Sequence, residues 1–291
     1  MKTLLLIDAS SLIHRAFHAL PPFSTKEGKP TGALYGLSNI LLKILREDKP
    51  DFIAAFFDRP EPTFRKEIFE EYKIHRPKAP DELVSQIIES RELFGAFGIK
   101  TFEAPGFEAD DLIGSAVKKF EPEENLKIVI LSGDLDTLQL VRDDKVVAKV
   151  LIKGVSETAS YDEEAVRKRY GISPEELPEY KALVGDSSDN IPGVKGIGPK
   201  TASALIQRYS SLEGILERGA AEKNFPKIES QKEQALLARK LTSISKDAPL
   251  EIDKLDNLMN RGIPEKNLAP YFEKLGFQSL IKRIENQNKL F

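Results

Sequence analysis

Gly185-Asp186-Ser187-Ser188-Asp189-Asn190-Ile191-Pro192-Gly193-Val194-Lys195-Gly196-Ile197-Gly198-Pro199-Lys200 is the stretch around which the chain is organised. Asp186 and Asp189 are carboxylates three residues apart, and on a helical turn they would share a face. A glycine-rich hairpin follows, in which Gly193, Gly196 and Gly198 permit positive φ and close backbone approach. Pro199 then opens a helix expected over Thr201–Tyr209, because proline is preorganised for a first helical turn and its missing N–H would have had no partner there. The N–H groups at such a helix start, with the macrodipole, attract anions. Lys195 and Lys200 add positive charge. Asn190–Leu212 carries three basic residues and no acidic one, inside a chain of net charge −3.

At 291 residues, 41% of them hydrophobic, the chain can bury a large core and support a second subdomain. It has no cysteine, which excludes a disulfide framework, a thiolate zinc site and a catalytic thiol. The N-terminal apolar run stops at Asp8, too short for a signal core or a membrane span. A cytoplasmic monomer without a membrane partner is expected. The weakly acidic balance leaves nucleic-acid binding to local charge rather than bulk charge.

Leu4–Ile7 is a continuous apolar run ending at Asp8, the pattern of a buried parallel strand with a carboxylate at its C-terminal edge. Ile53–Phe57 followed by Asp58 repeats it. Lys127–Leu131, followed by Ser132-Gly133-Asp134-Leu135-Asp136, repeats it again. Ligands of open α/β sheets bind beyond the carboxyl ends of the strands. Between the last two runs, Glu108-Ala109-Asp110-Asp111 opens a helix whose apolar stripe is Ile113, Ala116, Val117 and Phe120. Acids in a first turn complement the macrodipole, but three within four residues repel one another, and a bound cation would relieve that repulsion. Phe64, Ile68, Phe69 and Tyr72 predict an amphipathic helix bearing Arg65 and Lys66, with Lys73 and Arg76 just beyond. Pro77 and Pro80 interrupt, and another helix starts at Asp81. Glu67, Glu70 and Glu71 balance these basic residues, so on composition alone the segment reads as a solvated helix pair. Lys145–Ile152 reads as a further strand or hairpin, Tyr161–Tyr170 and Pro174–Val184 as helices, Thr201–Ile284 as mostly helical, and 285–291 as a polar tail. His14, His18 and His75 lack metal-ligand spacing.

Nine carboxylates result: Asp8, Asp58, Glu108, Asp110, Asp111, Asp134, Asp136, Asp186 and Asp189. With no cysteine or clustered histidine among them, the set suits hard cations, Mg²⁺ or Mn²⁺, and in a number that calls for two or more ions. Phosphodiester hydrolysis is the reaction class that fits. A haloacid-dehalogenase-type phosphatase also places Asp after its first strand, but needs Asp-x-Asp where this chain has Asp8-Ala9-Ser10. A small toxin-type RNase lacks the hairpin. A non-catalytic helix-hairpin-helix DNA-binding module explains the hairpin but not the acids.

Gly193–Ala202 resembles the helix-hairpin-helix of structure-specific 5′ nucleases. Together with Gly185–Pro192, Glu108-Ala109-Asp110-Asp111, Thr63-Phe64-Arg65-Lys66-Glu67 and Tyr72-Lys73-Ile74-His75-Arg76-Pro77, it makes the chain similar, over about Leu4 to Ile284, to the 5′-nuclease domain of the bacterial DNA polymerase I type, here as a free-standing chain. The resemblance implies an α/β fold, a mostly parallel central sheet flanked by helices. Residues 1–174 would form the nuclease domain, with a helical arch at about 59–97. Residues 175–291 would form a helical DNA-binding subdomain with the helix-hairpin-helix at about 185–209. It implies a two-metal nuclease acting on 5′ ends and 5′ flaps near ss/ds junctions, for RNA primer removal and repair. Asp8, Asp58, Glu108, Asp110 and Asp111 would serve a first metal region; Asp134, Asp136, Asp186 and Asp189 a second. Lys73 and Arg76 would stabilise the transition-state phosphate. Arg15, Arg65 and Tyr72 would hold the strand, Tyr72 by stacking. Gly193, Lys195, Gly196, Gly198 and Lys200 would hold duplex phosphates, with a K⁺ ion at the Val194 and Ile197 carbonyls. Branched or nicked DNA and a separate DNA polymerase are the implied partners. Leu135 stands where that family commonly has lysine, and Pro199 where it often has glutamate.

Overall fold

The computed structural model describes residues 1–154 and 157–285; the expected polar tail from 286 onward lies outside them. The three apolar runs are parallel strands: β1 (Lys2–Asp8), β2 (Phe52–Phe56) and, after the short edge strand β3 (Lys100–Phe102), β4 (Leu126–Ser132). β5 (Val146–Lys153) is parallel to β4, and β6 (Glu157–Tyr161) is antiparallel to β5, giving a six-stranded sheet of order β3-β2-β1-β4-β5-β6.

Alternate residues of each strand face opposite layers. Leu4, Leu6, Phe52, Ala54, Phe56, Ile128 and Ile130 point to one face. There they meet α5 (Ala109–Phe120), and beyond it α7 (Leu177–Val184), α8 (Pro199–Tyr209), α9 (Leu212–Arg218), α10 (Phe225–Glu229) and α11 (Lys232–Thr242). Leu5, Ile7, Ile53, Ala55, Val129 and Leu131 point to the other. That face is covered by α1 (Ala9–Ala19), α2 (Gly32–Glu47), α4 (Asp81–Ala96), α12 (Glu265–Lys274) and α13 (Gln278–Glu285). The remaining helices are α3 (Phe64–Ile68) and α6 (Glu163–Tyr170). Both faces of the parallel strands are buried, which is why they read as unbroken apolar runs.

To pass from the α11 face to the α12 face, the chain rounds the β2–β3 side of the sheet. Met259 bridges to Phe52, the Asn260 backbone N–H donates to the Asp51 carbonyl at 2.8 Å, and the Asn260 amide donates to the Pro50 carbonyl at 2.7 Å. Among the described residues no helix is long and apolar enough to cross a membrane.

Two local expectations differ from the structure. The helix expected to reach Tyr72 ends at Ile68: Phe69 is extended, and turns occupy 70–76, with Lys73 at φ +55°. Asp186 and Asp189 do not sit on a helical turn. Gly185–Asp186 pairs antiparallel with Ile191–Pro192, as strands β7 and β8, and the chain reverses between them. Gly185, at φ +77°, and Gly193 lie face to face across that pair. A Cβ on either would overlap the other's backbone, so neither can carry a side chain.

Candidate active site

A cleft of about 520 Å³ opens beyond the carboxyl ends of β1, β2 and β4. Asp8 ends β1 and caps α1. Its Oδ1 accepts the Ser11 N–H at 3.0 Å, and its Oδ2 accepts the Ser132 hydroxyl at 2.7 Å. Ser132 Oγ in turn accepts the Asp134 N–H at 2.9 Å, Ser11 Oγ the Gly133 N–H at 2.8 Å, and Ser10 Oγ the Asp58 N–H at 2.8 Å. Three serines thereby tie together the strand ends that carry Asp8, Asp58 and Asp134. Asp58 Oδ1 accepts the Ala109 N–H at 2.8 Å, which fixes the start of α5 against β2.

Asp110 enters the same cleft from α5, and its Oδ1 is buried with no hydrogen-bond partner. Burial, then the charges of Asp8, Asp134, Asp136 and Asp58, push its carboxyl well above the usual range. Burial and Asp58 raise Asp8 to about 6, and burial raises Asp136 to about 7 despite a nearby ammonium. Among the described residues no three such side chains already form a closed cage for an ion. An unpartnered buried carboxylate oxygen among like charges, with oxygen donors alone, nevertheless fits a divalent cation.

Asp136 and Asp186 meet through Lys181 of α7. Its ammonium donates to Asp136 Oδ1 and, at 2.7 Å, to Asp186 Oδ2. Asp186 Oδ1 accepts the Ser188 hydroxyl at 2.6 Å and the Ser188 N–H at 3.0 Å. Burial acts to raise the Asp186 carboxyl, but Lys181 and Ser188 outweigh it and hold the group below its ordinary value.

Asp189 belongs to a separate group. Its carboxylate accepts Arg76 and, at 3.1 Å, the Tyr72 hydroxyl. Lys73 Nζ stands 2.7 Å from Glu108 Oε1 and 3.8 Å from Asp189 Oδ2, and the Lys73 N–H donates to the Asp189 carbonyl at 2.9 Å. Tyr72 also reaches Glu108 at 3.2 Å and is 5% exposed, so its ring does not offer a free stacking face in this arrangement. Arg15, His14 and His18 line the cleft.

The structure does not bring Asp111 to the cleft. It is fully buried under a bidentate ion pair: Arg65 Nη1 to Oδ2 at 2.7 Å and Nη2 to Oδ1 at 2.8 Å. Its oxygens also accept the Glu108 N–H at 3.0 Å and the Ser245 N–H at 2.8 Å. Arg65, expected at the strand, is itself 3% exposed and donates to the carbonyls of Leu241 and Ser243, each at 2.8 Å. The pair clamps α3 and α5 to the end of α11.

In the hairpin, Val194 and Ile197 are buried while Lys195, Gly196, Gly198, Pro199 and Lys200 are exposed. The Val194 carbonyl accepts the Ile197 N–H at 3.0 Å. Gln234 donates to the Gly193 carbonyl, and Gln231 Oε1 accepts the Lys195 N–H at 2.8 Å, so α11 and its approach hold the loop in shape. Lys227 of α10 lies against Gly196, which sits at φ +87°. Sequence reasoning missed Lys181, Lys227 and the three serines. Lys181 lies five residues before Asp186, so the spacing held one usable hint; the others meet partners far along the chain.

Fold and site together define an α/β hydrolytic centre lined by carboxylates, with a basic helix-hairpin-helix beside it. The 5′-3′ exonuclease N-terminal resolvase-like domain matches residues 3–171, and the 5′-3′ exonuclease C-terminal SAM fold matches 172–265. The chain belongs to the 5′-3′ exonuclease family and is a nuclease. The 5′-3′ exonuclease of Aquifex aeolicus is 38% identical over 98% of this chain and 96% of that protein. DNA polymerase I of Caldicellulosiruptor bescii is 43% identical over 97% of this chain, and that of Bacillus subtilis 40% over 97%; the chain spans about a third of each, 33% and 32%. Among solved structures, T5 5′-exonuclease with bound divalent zinc ions superposes with a TM-score of 0.69 at 22% identity, over 83% of this chain and 89% of that one. The catalytic core of Rad2 in complex with DNA gives 0.59 at 17%, over 94% and 87%. These two likenesses concern the fold.

Proposed function

We propose that this nuclease hydrolyses DNA phosphodiesters at 5′ ends and 5′ flaps near single-strand/double-strand junctions, with Mg²⁺ or Mn²⁺ held by Asp8, Asp58, Glu108, Asp110, Asp134, Asp136, Asp186 and Asp189. The observation that carries this reading is the unpartnered, buried Asp110 Oδ1 among like charges. Divalent ions bound there would supply a polarised water and neutralise charge on the scissile phosphate. Asp8, Asp58 and Asp134 are held ready by the serine ties, so they lose little freedom on binding. Asp111 supports the site from behind through Arg65. Lys73 and Arg76, now paired with Glu108 and Asp189, stand at the rim where negative charge develops on the phosphate and would stabilise it.

Lys195, Lys200 and Lys227, with the N–H groups opening α8, suit the phosphates of a duplex without reading its sequence. A K⁺ ion at the Val194 and Ile197 carbonyls would add to that cradle. A cytoplasmic setting, and a separate polymerase that leaves 5′ flaps as partner, fit this activity. Digestion of a 5′-labelled flap, a nicked duplex and a blunt duplex with Mg²⁺ tests the proposal. Cleavage near the junction, lost in excess chelator and in Asp110→Asn while flap binding persists, is the expected result. Full activity in chelator would overturn it.

A further inference from the structure

Lys181 has a place among the acids that neither the hairpin nor the rim cations share. It projects from α7, and its ammonium lies between Asp136 and Asp186, two carboxylates delivered by segments far apart in the chain. The lysine is 18% exposed and its partners 22% and 14%, so the trio is largely out of solvent. Its hydrogen bonds take Asp136 Oδ1 and Asp186 Oδ2, oxygens for which a divalent ion joining the two carboxylates would compete. Both Asp186 oxygens already accept hydrogen bonds, Oδ2 from Lys181 and Oδ1 from Ser188. An ammonium is a compact single charge and a divalent ion a compact double one, and both favour the same hard oxygen donors. The Asp110 oxygen presents the opposite case, because no cationic side chain occupies it.

The geometry points to Lys181 as a resident cation that holds Asp136 and Asp186 together and must be displaced before a divalent ion can use them. This inference rests on the metal-binding reading above. It adds an order of filling: the region of Asp8, Asp58 and Asp110 loads first and tightly, and the region of Asp136 and Asp186 loads last and weakly. Displacement costs affinity because the ion replaces two charge-assisted hydrogen bonds already in place. The role assigned to Lys181 is positioning, since its ammonium is engaged by the two carboxylates.

The test is Mn²⁺ titration of the full chain without DNA, followed by calorimetry and by the electron paramagnetic resonance of free Mn²⁺. Two classes of site are expected. Lys181→Met should tighten the weaker class at least about tenfold and leave the tighter class unchanged. Lys181→Gln, which keeps hydrogen bonding without charge, should act in the same direction if Lys181→Met folds poorly. In chelator both variants should melt below the parent, and added Mn²⁺ should recover more of their thermal stability than it adds to the parent. A weaker class that is unchanged or loosened in both variants would overturn the inference. Asp110→Asn separates the two ideas: loss of the tight class supports the metal-binding reading, whereas unaltered Mn²⁺ binding in Asp110→Asn would overturn that reading itself.

Discussion

Replacing Arg65 by methionine probes the division between structural and metal-binding acids. Methionine keeps much of the stem's apolar bulk but removes the guanidinium. Asp111 would then lose two charge-assisted bonds, at 2.7 and 2.8 Å, and stay fully buried with only the Glu108 and Ser245 N–H groups to satisfy it. The carbonyls of Leu241 and Ser243 would lose their donors as well. Breaking a buried pair by removing one partner costs about 3–5 kcal/mol. With an unfolding entropy of roughly 2 cal/mol/K per residue, a chain of 291 residues should lose about 5–8 °C in Tm. Asp111→Asn should destabilise too. The double variant should lose about 1–3 kcal/mol less than the sum of the singles, because the two changes share one interaction. Thermal unfolding in chelator, paired with Mn²⁺ titration of each variant, measures both quantities. A loss in Arg65→Met of under about 0.5 kcal/mol, or abolished tight Mn²⁺ binding in a normally stable Asp111→Asn, would refute the reasoning and return Asp111 to the metal set.

Four further outcomes are expected. Lys73→Ala should lower the single-turnover cleavage rate by about 100-fold with modest loss of DNA binding, because its charge matters most as the phosphate gains negative charge; rapid-quench kinetics would show it. Lys195→Ala combined with Lys200→Ala should weaken flap binding and lower the log Kd versus log salt slope by roughly 0.9 for each phosphate no longer neutralised, with saturated turnover nearly unchanged. Asp8 is raised in the folded state to about 6 from an ordinary 3.8 and Asp136 to about 7, so folded protein holds these protons longer than unfolded chain; metal-free stability should therefore fall as pH rises from about 4 to 7, and excess Mg²⁺ should shrink that fall in a pH series of melting curves. Gly193→Ala should sharply lower Tm or prevent folding, since its Cβ would overlap the Val184 carbonyl carbon, and circular dichroism melts would register it.

The parallel strands β1, β2 and β4 were legible because burial on both faces leaves unbroken apolar runs, and because each of these three leads into a carboxylate at or just beyond its end. β3 and β6 left no such trace: β3 is three residues at an edge, and β6 is an antiparallel outer strand whose residues are mostly exposed or half-buried. The apolar spacing through Tyr72 suggested too long a helix because a tyrosine can be buried for its hydroxyl as well as its ring. Here the hydroxyl reaches Glu108 and Asp189 and draws the chain into turns. The acids around the cleft were recognisable as a set, but not their division into groups. Asp111 is distinguished from Asp110 by an arginine 46 positions away, and the Asp8–Ser132 bond spans 124 positions. Local pattern carries no signal for pairings of that range.

The passage of the chain around the sheet at Met259 and Asn260 has a metric consequence. The helices bearing the hairpin are fastened to α3 and α5 by the Arg65 clamp at the end of α11, and the chain beyond that clamp is anchored in turn by α12 and α13 on the opposite face. They therefore behave less like a lobe on a pivot than like the fixed jaw of a calliper. A duplex gripped at the hairpin would meet the acids at one offset, set by protein bonds rather than by the slack of the nucleic acid. Incisions should then fall at a constant count of nucleotides from the junction, whatever the length of the strand ahead of it.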